Sequence, residues 1–256
     1  MRSIKILEFS FLCRFALPVL LLWATGITAQ NGKSINLLEF KYGFHMPSGD
    51  LQDRFGANSD IGVTLQTINK ESRLFFGVEG MYMFGNNVKE DVLVALRSYD
   101  GSIIGVDGLP GDINLKERGF YMGVNAGKIF PTTKNPNKLT GIRAQVGLGL
   151  LQHKIRVQDN AKTIPSLTKD YLQGYDRLSN GPAVHFGLGY HYQSPTNNFH
   201  FHIMGDLYGA QTSSRRDLDY PTGTYLDQKR NEWLGGLSIA YVVSISRAAR
   251  PDNIYY

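Results

Sequence analysis

Cysteine is almost missing from this chain: of 256 residues only Cys13 is one, and it lies close to the N-terminus. A chain so poor in cysteine has no disulfide framework, so its stability has to come from backbone pairing and burial. Long apolar runs are missing too. Beyond residue 30 none approaches the roughly 20 residues of a spanning helix, which excludes a helical membrane protein. Neither sign of charge is in large excess, with 27 lysines and arginines against 22 aspartates and glutamates. The motifs of hydrolases, zinc proteases and phosphate loops (G-x-S-x-G, H-E-x-x-H, G-x-x-x-x-G-K) do not occur. The spaced glycines of 119–127 fall on a strand pattern rather than on a strand-to-helix turn, so they do not read as a nucleotide loop.

What is present begins with a leader. Arg2 and Lys5 precede a mostly apolar stretch over 9–27, interrupted by Arg14 and Pro18, and a small residue, Ala29, precedes Gln30. That layout predicts a cleaved signal peptide over 1–29. Cys13 lies within it without a lipobox. Taking away Arg2, Lys5, Arg14 and Glu8 leaves 24 basic and 21 acidic residues, a net charge of +3 for 30–256. That balance, with export, argues against nucleic acid as a partner.

After residue 34 the dominant signal is period-two alternation, the signature of strands with two unlike faces. Leu38, Phe40, Tyr42, Phe44 and Met46 share one face, opposite Glu39, Lys41, Gly43 and His45. The pattern returns over 61–66, 74–84, 120–127, 142–149, 184–192, 199–207 and 233–243. In every segment one face is large and apolar and the other is polar or glycine. A soluble β-sandwich also alternates. Here the connectors sort by length: 71–73, 131–138 and 193–198 are short, while 47–59, 85–116, 158–180 and 213–230 are long. Short turns at one end and long loops at the other are the outer-membrane arrangement. Tyr82, Phe84, Phe120 and Trp233 fall toward the loop end, and Phe76, Phe130, Tyr190, Tyr192, Phe199, Phe201 and Tyr241 toward the turn end, as two interfacial girdles. The expectation is an all-β, closed antiparallel up-and-down transmembrane barrel of about eight strands with long extracellular loops. It forms one domain over 30–256, with 247–256 as a periplasmic tail.

The inward face carries Glu39, Lys41, Glu79, Arg143, His185 and Asp206. Buried charges are costly alone, so these six are expected to pair and fill a plugged lumen. His191, His200 and His202 also point inward, with His191 expected opposite His200. They are the candidate metal ligands, but no fourth ligand is evident, and polar filling is the preferred reading. No cofactor is expected. His153 near the loop end, with Ser166 or Asp170 in the third loop, is the candidate arrangement for a rim enzyme acting on lipid or peptide, which stands as the alternative function.

In the loops, 91–97 and 166–173 read as short helices, with Ser166 as N-cap of the second and Gly174 as its stop. Tyr171, Tyr175, Arg177, Arg215 and Arg216 are the candidate binding residues, since tyrosine and arginine dominate protein interfaces and arginine also suits phosphates.

Several loop sequences carry a resemblance. Pro47-Ser-Gly-Asp-Leu51 followed by Arg54-Phe-Gly56, Leu150-Leu-Gln-His-Lys-Ile-Arg156, Gly174-Tyr-Asp-Arg-Leu178 with Ser-Asn-Gly181, and the pair Arg215-Arg216 resemble small barrel proteins of Bacteroidetes-type bacteria, broadly the PorT-like group. The resemblance implies an integral outer-membrane barrel, of a group in which some members are accessory parts of assembly or secretion machines. With the loop arginines suited to lipopolysaccharide phosphates, the expected function is a non-enzymatic structural or accessory component in contact with lipopolysaccharide or with assembly or secretion machinery.

Overall fold

The computed structural model describes residues 34–133, 138–167, 171–194, 200–216, 218–225 and 228–245. The leader, the C-terminal tail, Asp170 and Phe199 lie outside the described residues. Eight strands follow one another: β1 (Ser34–Gly49), β2 (Asn58–Asn69), β3 (Leu74–Gly85), β4 (Ile113–Pro131), β5 (Gly141–Asp159), β6 (Ser179–Gln193), β7 (His200–Ser214) and β8 (Arg230–Ser244). Each neighbours the next, and β8 returns to β1 to close the barrel. Every pairing described is antiparallel, with Phe40 opposite Tyr241 at the seam.

All eight segments read from the alternation are strands, in the expected up-and-down order. The alternation also sorts by burial. Phe40, Tyr42, Phe44 and Met46 are exposed on the outside, while Glu39 and His45 are buried inside. An apolar exterior around a polar interior is the inverse of a soluble barrel and the distribution a bilayer demands. Among the described residues no helix is long and apolar enough to cross a membrane.

Two strands run well past their sequence-read segments. β4 and β5 pair continuously from Pro131↔Gly141 to Ile113↔Asp159. The extension was not legible because its outward residues, among them Lys116, Arg118, Lys154 and Arg156, are charged and so lack the polar–apolar contrast.

The interior is layered. At the turn end Leu37, Ile68, Phe75, Ile129, Leu139 and Val242 form an apolar plug. At the loop end Met81, Met83, Tyr121, Leu151, Tyr208 and Leu234 form a second apolar layer. The inward face is therefore not polar throughout, as the sequence suggested; apolar layers share it with polar groups along its length. Inward glycines make room for long neighbours: a Cβ on Gly123 would lie 2.6 Å from Tyr121 Oη, and one on Gly147 2.8 Å from Glu79 Oε1.

In place of the loop helix expected at 91–97 stands a single 3-10 turn, Val94–Leu96, and the described residues of 166–173 fall in the 3-10 turns Pro165–Leu167 and Leu172–Gly174, with 168–170 outside the described residues. Asp91 accepts from the Leu93 N–H at 3.1 Å and from Arg97 Nε at 2.5 Å, which clamps the first into one tight turn instead of a propagating helix.

Candidate functional site

The lumen charges are brought together. Arg143 Nη1 lies 2.6 Å from Glu39 Oε1, and its Nη2 donates to Gln66 Oε1 at 2.9 Å. Its guanidinium sits over the Phe75 ring at 4.3 Å. His185 bridges two carboxylates, Nδ1 to Glu79 Oε1 and Nε2 to Asp206 Oδ1, both at 2.9 Å. Ser238 donates to the other oxygen of Asp206. Lys41 Nζ donates to Tyr208 Oη at 2.7 Å, and the Tyr208 ring stacks on His185 with centroids 4.0 Å apart. Each charge of the expected cluster thus has a partner, and a group with every bond made offers little to a visitor.

Two further lumen pairs were not foreseen. His45 Nδ1 is 2.7 Å from Asp60 Oδ2, and His153 Nε2 is 2.8 Å from Glu232 Oε2, with all four side chains essentially sealed. Asp60 and Glu232 each sit one residue outside the strand segment read from the alternation, so they were not assigned a face.

The histidines near the turn end are in a different register from the one expected. His191 is opposite His202, not His200, which is opposite Gln193. The reason is the hairpin: strand pairing ends at Gln193↔His200, leaving six residues for the turn. The ring centroids of His191 and His200 are 5.9 Å apart, as are those of His191 and His202. Arg143 Nη1 stands 3.5 Å from His202 Nδ1, a fixed positive charge where a metal cation would sit. Among the described residues no group of three histidines, cysteines, aspartates or glutamates is set to hold a metal ion.

The four long loops fold over the barrel mouth and lock to one another. Leu51 and Phe55 of the first, Val92, Leu93 and Ile103 of the second, and Ile164, Leu167 and Tyr175 of the third continue the upper apolar layer outward. Above them a chain of charges crosses all four. Arg54 Nε of the first loop is 3.0 Å from Glu90 Oε2 of the second. Arg177 Nε of the third is 3.1 Å from Glu90 Oε1, and its Nη1 is 2.9 Å from Asp219 Oδ1 of the fourth. Arg177 holds a left-handed backbone, φ 49°, a conformation uncommon for a side-chain-bearing residue and retained here by the two carboxylates around it. Asp176 takes Arg216 in a two-pronged fork at 2.8 and 2.6 Å.

This changes the standing of the loop candidates. Tyr175 and Arg177 are buried, Arg216 is tied to Asp176, and Arg215 Nε donates to Asn180. These residues build the cap, and of the five only Tyr171 shows an exposed ring free of a described partner. His153 packs edge-on against Phe55 beneath the cap, while Ser166 faces solvent, so the pair considered for rim catalysis is not assembled.

Apolar residues that face outward include Tyr171, Leu218, Tyr220 and Tyr225 of the third and fourth loops and a larger group in the second, of which the sequence had offered only Ile104. Val94, Tyr99, Ile104, Val106 and Leu109, all in the second loop, are exposed. Ile104 pairs with Pro110, and Gly105 N–H donates to Leu109 O at 2.9 Å, so the last three crown one short hairpin. Their signal was an apolar content without period, which does not separate a packed loop from a presented one.

The fold and cap define a closed eight-stranded antiparallel barrel with a locked lid of loops. No protein-family model matches the chain, and no curated protein matches it in sequence. Solved structures similar to it include Neisserial surface protein A (13% identity, 82% of this chain and 97% of that one, TM-score 0.43). The attachment invasion locus protein of Yersinia pestis, crystallised with the heparin analogue sucrose octasulfate, matches at 13% identity over 82% and 99% with TM-score 0.38. OprG of Pseudomonas aeruginosa matches at 12% over 82% and 96%, TM-score 0.36. At these levels the fold rests on this chain's own strand register.

Proposed function

We propose that this protein is an integral, non-enzymatic barrel of a bacterial outer membrane, exported through a cleaved leader, that binds an envelope partner through its second outer loop. The observation that carries this reading is the exposed apolar hairpin bearing Ile104, Val106 and Leu109, held on a cap whose loops are tied together by the ion pairs of Arg54, Glu90, Arg177 and Asp219. Exposed apolar residues gathered on a rigid support mark interaction sites. The PorT-like resemblance favours a component of assembly or secretion machinery as that partner, with lipopolysaccharide as the surrounding lipid. The test is a variant with Ile104, Val106 and Leu109 changed to serine, none of which supports the barrel. It should reach the outer membrane and keep the heat-dependent gel shift of a closed barrel, yet lose a photocrosslink that a probe at Tyr99 forms in the wild type. A wild-type probe that forms no crosslink to any envelope protein sinks the reading.

A further inference from the structure

Lys116, Arg118, Lys154 and Arg156 stand together on the outward face of the β4–β5 extension. Arg118 is directly opposite Lys154, and Lys116 directly opposite Arg156. Like charges facing across a ladder destabilise it. Among the described residues none of the four enters an ion pair. The nearest acid in sequence, Glu117, points inward, fully buried, and accepts from Asn58. Around the same rim the outward residues on other strands are neutral: Ser48, Ser59, Asn180, Gln211 and Asn231. Arg118 also donates to the backbone carbonyl of Glu117, but no carboxylate among the described residues pairs with any of the four, so the barrel keeps a cluster of cations at one place just above its apolar band.

A groove lies in that band beneath the cluster. On β3, Phe84 is opposite Arg118, Tyr82 opposite Phe120, and Gly80 opposite Met122. Each same-face step is two residues, about 7 Å along the strand. At Gly80 no atom lies within 4 Å of where a Cβ would stand. The groove there has a volume of about 580 Å³ and an outer lining of Phe40, Ile61, Val63, Tyr82, Phe120 and Met122. Cations at the headgroup level over an open apolar groove match one kind of molecule, an amphiphile with an anionic head and an acyl tail.

We propose that this face binds a phosphorylated glycolipid of the outer leaflet, its phosphates on Lys116, Arg118, Lys154 and Arg156 and one acyl chain in the groove at Gly80. The inference rests on the outer-membrane location proposed above. Arginine grips phosphate through two parallel N–H donors and lysine as a point charge. A phosphate between facing cations converts their repulsion into two attractions, and the bilayer holds the lipid at the right height.

The experiment uses the full chain in nanodiscs of phosphatidylcholine doped with bisphosphorylated lipid A or with the same lipid A stripped of phosphate. Lipid retained after stepwise delipidation is read by native mass spectrometry. Wild type should retain the phosphorylated form at least about tenfold better, from several basic residues each adding a several-fold preference. The preference should fall with salt. Changing all four cations to glutamine should abolish it, and the folded barrel should survive because facing like charges are removed. Gly80→Leu, which fills the groove, should weaken retention while leaving its salt dependence intact.

Equal retention of the two lipid forms by wild type overturns the proposal, even if the four-cation variant does not fold. So does undiminished preference in a folded four-cation variant. Displacement of the lipid by inorganic phosphate at equal concentration would assign the cations to free anion and not to lipid. Cell fractionation that finds the protein outside the outer membrane removes the location, whereas loss of lipid preference with correct location removes this site alone.

Discussion

Arg143 and Glu39 meet 2.6 Å apart inside the barrel, with Gln66 and the Phe75 ring completing the enclosure. Removing one partner leaves the other charge buried and unpaired. Arg143→Ala should therefore destabilise the barrel by about 3–5 kcal/mol, measured by urea unfolding in lipid vesicles. Replacing both partners, with Arg143→Met and Glu39→Leu, should cost much less. A double variant as unstable as the single one would show that the pair matters for packing and not for charge.

The cap should behave as one unit held by Glu90. Glu90→Gln leaves Arg54 and Arg177 without their shared carboxylate, at a cost to the lid of about 1–3 kcal/mol. The expected result is faster protease cleavage within 86–112 and 160–178 with the gel shift of the closed barrel unchanged. Cleavage rates equal to wild type would mean that the apolar contacts alone hold the loops.

Asp91 gives the second outer loop a pH dependence. Its partial burial works to raise the carboxyl, but hydrogen bonds from Arg97 and from the Leu93 N–H outweigh that and hold it below its ordinary 3.8. A carboxyl lowered in the folded state adds stability above its unfolded value and loses it as pH falls through the lowered one. The 91–97 turn should stay protected above about pH 4 and open progressively in stronger acid. Hydrogen exchange at Leu93, corrected for the intrinsic rate, reads this directly. In Asp91→Asn the acid dependence should vanish.

The lumen should not conduct. An eight-stranded barrel has room for little beyond its own side chains, and here Arg143, Tyr121 and Tyr208 are among those fully buried inside it. Planar-bilayer recordings of the purified protein should show no stable large conductance. Truncating Tyr121 and Tyr208 together to alanine should raise the leak if the plug is steric. A wild-type channel with a steady open level would refute the packed interior.

The strands were legible because lipid outside and side-chain packing inside impose a contrast between alternate residues, repeated in each crossing. That contrast gave the strand count, the inward placement of Glu39, Lys41, Glu79, Arg143, His185 and Asp206, and the loop end. It failed where it vanished. The β4–β5 extension is charged on its outward face, so its length and its four-cation cluster were invisible. Asp60 and Glu232, one residue beyond the read segments, hid the two sealed histidine pairs.

The sequence by itself determined that this chain closes into a barrel with charges that must pair inside it, since a two-residue period fixes the facing of each strand residue. Only the tertiary structure decided which charges meet: that His191 faces His202, that His185 spans Glu79 and Asp206, and that Glu90 gathers Arg54 and Arg177 from separate loops. Such partners are set by register, by strand tilt and by the way three aperiodic loops share one apolar floor while the fourth joins them through Asp219. Arg177 looked like a residue waiting for a partner because its carboxylates lie in other loops, brought to it only when the lid folds.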